Sequence, residues 1–288
     1  MIPQLTIAKN KAHWSHSDSF GNGENEYIKS FIHHNYSLGF HTHSFYELNI
    51  VVSGSGYHYI ESMACEAKCG CVFLIPPHIK HGYLSIDNLN VYHMLIHRDF
   101  INSCFKEFIK TEGYFLLFEI EPHLRAHYDE NMFLTLSDEE LDVINQDIRL
   151  MEKCKTMPAS DIFLNATAKK LLCSLCMLMV EKSGTESNKT ETKKELLNIA
   201  DSLNFIHQNF DQPLTVEILA GRLHMSRSTF IRHFTRMCGC SPHHYVQSYR
   251  IKKAKEYLAE SNKTATRIAQ ECGFYDVSHM RKCLAEEK

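Results

Sequence analysis

EILAGRLHMSRSTFIRHF, residues 217–234, decides how the C-terminal third of the chain folds. The same pattern returns as TRIAQECGFYDVSHMRKCL, residues 266–284. Ala220 recurs as Ala269, 49 residues on, and Ser226 as Asp276, 50 on, after one extra residue in the turn. Ser228 then matches Ser278, Phe230 matches Met280, Arg232 matches Lys282 and Phe234 matches Leu284. A repeat at this spacing predicts two copies of one supersecondary unit.

Each copy reads as helix, short turn, helix. Ser226 and Asp276 are N-cap residues, whose side-chain oxygens satisfy free amides at the start of a second helix. Phe230 and Phe234 lie four apart, so they share one face and pack inward. A rotation of about 100° per residue puts Ser228, Arg232 and Arg236 on the opposite face. Ser278, Lys282 and Glu286 take those places in the second copy. Small polar and cationic residues on a helix after a tight turn suit a DNA major groove, because they allow close approach and reach phosphate or guanine acceptors.

Between the copies runs SPHHYVQSYRIKKAKEYLAES, residues 241–261. Ser241 and Pro242 make an N-cap and first-turn pair. Tyr245, Tyr249, Ala254 and Leu258 are the expected buried side of a long helix. Such a helix would hold the two units about 34 Å apart, one turn of DNA. Charge agrees with this reading: residues 189–288 carry a net +5 and the rest of the chain −8, so a basic part follows an acidic body.

These residues make the chain resemble the AraC/XylS family of transcription regulators over about 196–288. The resemblance rests on LTVEILAGRLHMSRSTFIRHFTRMCGCSPHHYVQSYRIKKAKEYLAES and on IAQECGFYDVSHM. It implies that the second helix of each unit reads the groove. The residues expected at DNA are then Ser226, Arg227, Ser228, Thr229, Arg232 and Arg236, with Val277, Ser278 and Lys282 as second-unit counterparts. It also implies a closing helix after each unit. The second copy ends at Lys288, four residues after Leu284, so it is expected to lack part of its packing and to contact DNA less than the first.

Residues 1 to about 125 have a β pattern. YELNIVVSGSGYHYI, residues 46–60, alternates around Gly-Ser-Gly, which predicts a hairpin. CGCVFLIPPHIKHGY, residues 69–83, reads as a strand followed by a Pro-Pro turn. His41, His43 and Glu47 occupy odd positions and would point to one face of an extended strand, with His81 arriving from a neighbour. Two motifs, H-x-H-x3-E at 41–47 and G-x5-P-x4-H at 70–81, resemble the cupin fold over roughly 35–85. In metal-binding cupins the matching residues, His41, His43, Glu47 and His81, hold a divalent metal. In sensors of the AraC type such a barrel more often encloses a sugar or another small effector, and these residues with Tyr46 would then touch the effector or support the barrel.

From 137 onward the chain turns helical. Ser137 and Glu140 make a capping box ahead of Leu141, Ile144 and Ile148. A second helix from about Ser160 carries Ile162, Phe163, Ala166, Leu171, Leu172, Leu175, Leu178 and Met179. The leucine-rich faces suggest pairing with a second copy of the chain. SGTESNKTETK, residues 183–193, reads as a linker. Three zones follow: a cupin-like effector domain over 1–130, a helical linker and dimerisation segment over 131–194, and an all-α double helix-turn-helix domain over 195–288.

Bulk composition sets the outer bounds. With 44% hydrophobic and 23% charged residues, the chain is an ordinary globular protein rather than a disordered one. No uninterrupted apolar run reaches membrane-span length, and MIPQLTIAKNKAHWSHSD lacks the layout of a signal peptide, so a cytoplasmic location is expected. Eleven cysteines then read as reduced. The C-x3-C-x-C run of Cys65, Cys69 and Cys71 meets no standard zinc spacing, and Cys173 with Cys176 reads as helix-core or interface filler. The expected protein is an effector-responsive DNA-binding regulator, an activator rather than an enzyme, with duplex DNA, a small effector, a second subunit and RNA polymerase as partners. The alternative is a metal-dependent cupin enzyme with an accessory helical domain.

Overall fold

The computed structural model describes residues 13–15, 19–20, 27–104, 106–127, 134–157, 160–182, 190–260 and 263–286. Contacts divide the chain into two compact units, 1–187 and 188–288. Among its described residues the first holds seven strands: β1 His13–Trp14, β2 Ile28–His33, β3 Leu38–His43, β4 Tyr46–Ile60, β5 Met63–Lys68, β6 Val72–Ile75 and β7 His81–Ile96. Their pairing path is β1-β3-β7-β4-β5, with β2 also on β7 and β6 also on β4. Every pair is antiparallel except β1 with β3. The unit is the expected cupin-like β domain, although among the described residues no pairing joins the two ends of the path into a closed ring.

Two long strands organise this sheet. β4 and β7 run side by side over most of their length, with register shifts between Val51 and Tyr57. The Gly54-Ser55-Gly56 stretch was expected to turn a hairpin. It instead bends one continuous strand, because Gly54 adopts φ +77° against β7, where a Cβ would lie 2.1 Å from the Asn88 carbonyl oxygen. Strand bulges bend a sheet in this way. The real hairpin turn follows at Glu61 and Ser62. Inside the curl, Val51, Phe73, Ile75, Tyr83, Leu89 and Val91 are fully buried together.

After β7, the short helix α1 Glu112–Phe115 leads through a π-helical turn, Leu116–Ile120, into α2 Glu121–His127. Two longer helices close the unit: α3 Asp138–Cys154 and α4 Ser160–Lys182. The expected capping box of Ser137 and Glu140 is present on α3. Tyr92 of β7 donates its hydroxyl to the Met151 sulfur at 3.1 Å, tying α3 to the sheet. On α4, Leu171, Leu172 and Leu175 are fully buried, whereas Ile162, Phe163 and Met177 point outward. Its Asp161–Lys182 stretch has the length and mean hydropathy, 1.4, of a membrane span, a property that scanning for uninterrupted apolar runs misses because Lys169 and Lys170 break the run.

The second unit is all helix: α5 Thr190–Asn209, α6 Val216–Arg222, α7 Arg227–Cys238, α8 Pro242–Glu260, α9 Ala265–Glu271 and α10 Val277–Glu286. Of the expected linker, 183–189 lies outside the described residues, and α5 already begins at Thr190. Side-chain caps start the short helices as N-cap chemistry dictates: Thr215 accepts from the Ile218 amide, Ser226 from Thr229, Thr264 from Arg267 and Asp276 from His279. Phe230 and Phe234 are fully buried, as four-residue spacing predicts. On α8, Tyr249 and Ala254 are buried as expected, but Leu258 is 47% exposed, and Val246 and Ile251 fill the interior instead. The second helix-turn-helix was expected to lack part of its packing, and no closing helix follows α10 among the described residues. It nevertheless has its own core, in which Met280 and Cys283 pack with Ile251, Ala254, Ile268 and Phe274.

Gly82 sits where β3 crosses β7. A Cβ there would approach the Leu38 carbonyl oxygen to 2.8 Å. Gly82→Ala is expected to destabilise the first unit by about 1–3 kcal/mol, the usual cost of overpacking, measured by urea denaturation. Unchanged stability would mean that β3 moves off β7 at little cost.

Candidate effector site and nucleic-acid interface

Strand alternation gathers imidazoles around one carboxylate. Glu47 is the second residue of β4, paired with Ile75 on β6 and Leu95 on β7. His41 and His43 end β3, and His81 opens β7 directly opposite His41. The sequence reading placed both histidines and Glu47 on one strand. The chain instead breaks at Ser44 and Phe45, so the set spans β3, β4 and β7 and still converges. All four residues are buried.

The backbone fixes the imidazole tautomers. His41 Nδ1 lies 3.0 Å from the Gly39 carbonyl oxygen, His43 Nδ1 2.7 Å from that of Phe45, and His81 Nδ1 3.1 Å from that of Ile79. A carbonyl only accepts, so each Nδ1 carries the proton, and each Nε2 of a neutral ring offers a lone pair. His43 Nε2 and His81 Nε2 lie 3.1 and 3.3 Å from Glu47 Oε2. Burial, with His81 nearby, pushes His41 down to about 4, so this ring is neutral near pH 7. Burial raises the Glu47 carboxyl, but the surrounding His43, His81 and His93 outweigh it and hold the group well below the usual range, so it is ionised. The neutral His41 ring thus offers its Nε2 lone pair close to an ionised carboxylate. A cation, or a ligand rich in hydroxyl donors, would bridge the two.

The sequence reading missed several members of this site. His93 Nδ1 donates to Glu47 Oε1 at 2.7 Å. Asn49, with its amide nitrogen toward the carboxylate, donates to the same Oε1 at 3.1 Å and accepts from the Tyr83 hydroxyl at 3.2 Å. His58 stacks on Tyr83 with ring centroids 4.6 Å apart. Alternation held the missing signal: Glu47 and Asn49 are two apart, as are His81 and Tyr83. The same rule removes Tyr46, which was expected in the pocket. Its neighbour Glu47 points inward, and Tyr46 packs edge-on against Phe118, 5.5 Å between centroids.

Below the imidazoles, α2 inserts an ion pair. Arg125 Nε donates to Glu121 Oε1 at 2.6 Å, and Nη2 donates to the Leu74 carbonyl oxygen at 2.7 Å. Its Nη1 lies 3.3 Å from His58 Nδ1. Both charged groups are buried. Arg125 therefore links the interior of the sheet to the helical segment.

In the second unit, α7 presents Ser228 and Arg232 to solvent opposite buried Phe230 and Phe234. Ser226 Oγ caps the helix and lies 2.8 Å from Thr229 Oγ1. Arg227 is exposed and pairs with Glu217 at 3.0 Å, while Arg236 is half-buried. On α10, Ser278 and Lys282 are exposed, and Val277 is half-buried against the second core. Glu286 lies 3.8 Å from Lys282 and partly offsets its charge.

Comparison with known proteins places these sites in context. Residues 25–155 match a family model described as an AraC-like ligand binding domain, and 219–287 match a helix-turn-helix domain. The HTH-type transcriptional activator RhaS of Escherichia coli O9:H4 is 23% identical over 247 residues, which are 86% of this chain and 83% of that protein. Among solved structures, the DNA-binding domain of AdpA in complex with a target DNA is similar at 27% identity, covering 31% of this chain and 81% of that one with a TM-score of 0.31. An apo form of ToxT from Vibrio cholerae is similar at 13% identity over 91% of this chain and 94% of that one, with a TM-score of 0.37.

Breaking the buried pair tests its structural weight. Glu121→Ala leaves the Arg125 charge uncompensated and is expected to cost about 3–5 kcal/mol of stability, read by chemical denaturation of the full chain. A loss below about 1 kcal/mol would show that water reaches Arg125.

Proposed function

The chain belongs to the AraC/XylS family of transcription regulators, and from that premise we propose that it activates transcription from a specific DNA site in response to a small effector. One observation carries the DNA half of this reading: the exposed Ser228–Arg232 edge of α7 is held outward by buried Phe230 and Phe234. Ser226, Arg227, Ser228, Thr229, Arg232 and Arg236 form the first-unit contact set, with Ser278 and Lys282 in the second. Val277 contributes less, since half of it serves the core.

The effector lies among His41, His43, Glu47 and His81. A polyhydroxy compound such as a sugar fits the site, because its hydroxyls would donate to Glu47 and to the imidazole lone pairs. Effector binding would shift the population competent for two half-sites. Outward-facing Ile162, Phe163 and Met177 support pairing of two chains through α4. The protein then acts in the cytoplasm as a homodimer, with RNA polymerase as a further partner, and as a regulator rather than an enzyme.

A second reading concerns the same pocket. One ligand atom from each of His41, Glu47 and His81 lies within 4.8 Å of the others, a spacing that suits a divalent cation. The bound ion would supply positive charge to the buried carboxylate. The chain's own part is to hold each ring by its Nδ1 bond and to orient Glu47 through His93 and Asn49.

Two measurements test these readings. Arg232→Ala is expected to cost about 1–3 kcal/mol at a duplex selected by the protein from a random pool, and an unchanged footprint would take Arg232 off the contact set. Elemental analysis of the purified chain decides between occupants: stoichiometric metal that disappears in His43→Ala favours the cation, and metal-free protein stabilised by a sugar favours the hydroxyl ligand.

A further inference from the structure

The two helix-turn-helix copies differ by one residue, and the structure identifies it. In the first turn the Met225 amide donates to the Ala220 carbonyl oxygen at 3.0 Å. In the second, the Phe274 amide donates to that of Ala269 at 2.9 Å. These bonds equate Ala220 with Ala269 and Met225 with Phe274. His224 and Gly273, which precede the donors, share a left-handed backbone, φ +53° and +71°. After Met225 the N-cap Ser226 follows at once, but after Phe274 comes Tyr275 and only then the N-cap Asp276. Tyr275 is the inserted residue.

That residue is 91% exposed, more than any other large apolar or aromatic side chain among the described residues. Phe274 fills the core position below it. Asp276 performs the capping beyond it, with Oδ1 accepting from the His279 amide at 2.7 Å. The phenol therefore has no visible packing or capping duty, although the turn carries it at the N-terminal end of α10. In a helix-turn-helix, that end of the second helix is the part that meets DNA.

We infer that Tyr275 is a DNA-backbone contact, its hydroxyl donating to a phosphate oxygen beside the groove entered by α10. The inference rests on the proposed DNA-facing role of α10. Tyrosine hydroxyls are among the common donors to phosphate, and such contacts fix register rather than sequence. A neutral donor also has a distinct signature. Lys and Arg displace counterions and steepen the salt dependence of binding, by about 0.9 in log–log slope per phosphate. A phenol displaces none. This insertion gives the second unit a salt-insensitive hold on the backbone, in the same unit where Glu286 weakens the charge of Lys282.

The test uses the full chain and a duplex that it selects from a random pool, titrated over a series of salt concentrations. Tyr275→Phe is expected to raise Kd about 5- to 20-fold, the worth of one hydrogen bond to a charged acceptor at a wet interface. The rise should be the same at every salt concentration, giving a parallel line, with Tm unchanged. Lys282→Ala should instead flatten the slope by about 0.9. Wild-type affinity in Tyr275→Phe, or a changed slope, overturns the inference. If Lys282→Ala flattens the slope while Tyr275→Phe binds as wild type, only the Tyr275 contact fails. If both variants bind as wild type, the DNA-facing role of α10 fails with it.

Discussion

A carboxylate inside a β-sheet is costly, because removal from water penalises its charge by several kcal/mol unless donors or cations surround it. Glu47 is such a group, and much of the first unit is arranged around it. β3 brings His41 and His43, the start of β7 brings His81, and the far end of β7 brings His93. Asn49 and Tyr83 extend the hydrogen-bonded shell. The curl of the sheet, bent at Gly54, lets both ends of one sixteen-residue strand reach the same point. An open, flat sheet would leave His81 and His93 on opposite sides of the molecule.

The same shell prepares the site for a guest. Backbone carbonyls engage the Nδ1 atoms of three rings, which turns each Nε2 toward the pocket. The neutral His41 ring and the ionised Glu47 can then both bind a cation or hydroxyl donors. Arg125, on α2, touches the inner imidazole His58 and closes the polar chain from pocket to helix. A change at Glu47 therefore has a physical route toward the helical segment, through side chains in contact.

The second unit answers the opposite requirement. Under the proposed function its cationic and hydroxylic side chains must stay in water until DNA arrives, and aromatic and aliphatic residues on the reverse faces hold them outward. Phe230 and Phe234 do this for α7, and Met280 and Cys283 for α10. The four-residue spacing that buries one set exposes the other. The second copy has a core of its own even without a closing helix among the described residues. A compact partner set on α8 and α9 accommodates Met280 and Cys283.

Local rules were enough for the repeated helix pair, its caps, its buried phenylalanines and its exposed edge, since each depends on residues within one or two helical turns. They also supplied the cupin-like motif histidines with Glu47. Local rules failed wherever a partner came from far along the chain. Gly-Ser-Gly chemistry is compatible with a turn or a bulge, and only pairing with β7 selects the bulge. Asn49 has only its two-residue spacing from Glu47 as a mark, and His93, His58 and Arg125 carry none that separates them from ordinary polar residues. Their roles arise when the curled sheet sets them around Glu47 and the helix packs beneath, because burial and charge neutralisation are properties of the assembled interior.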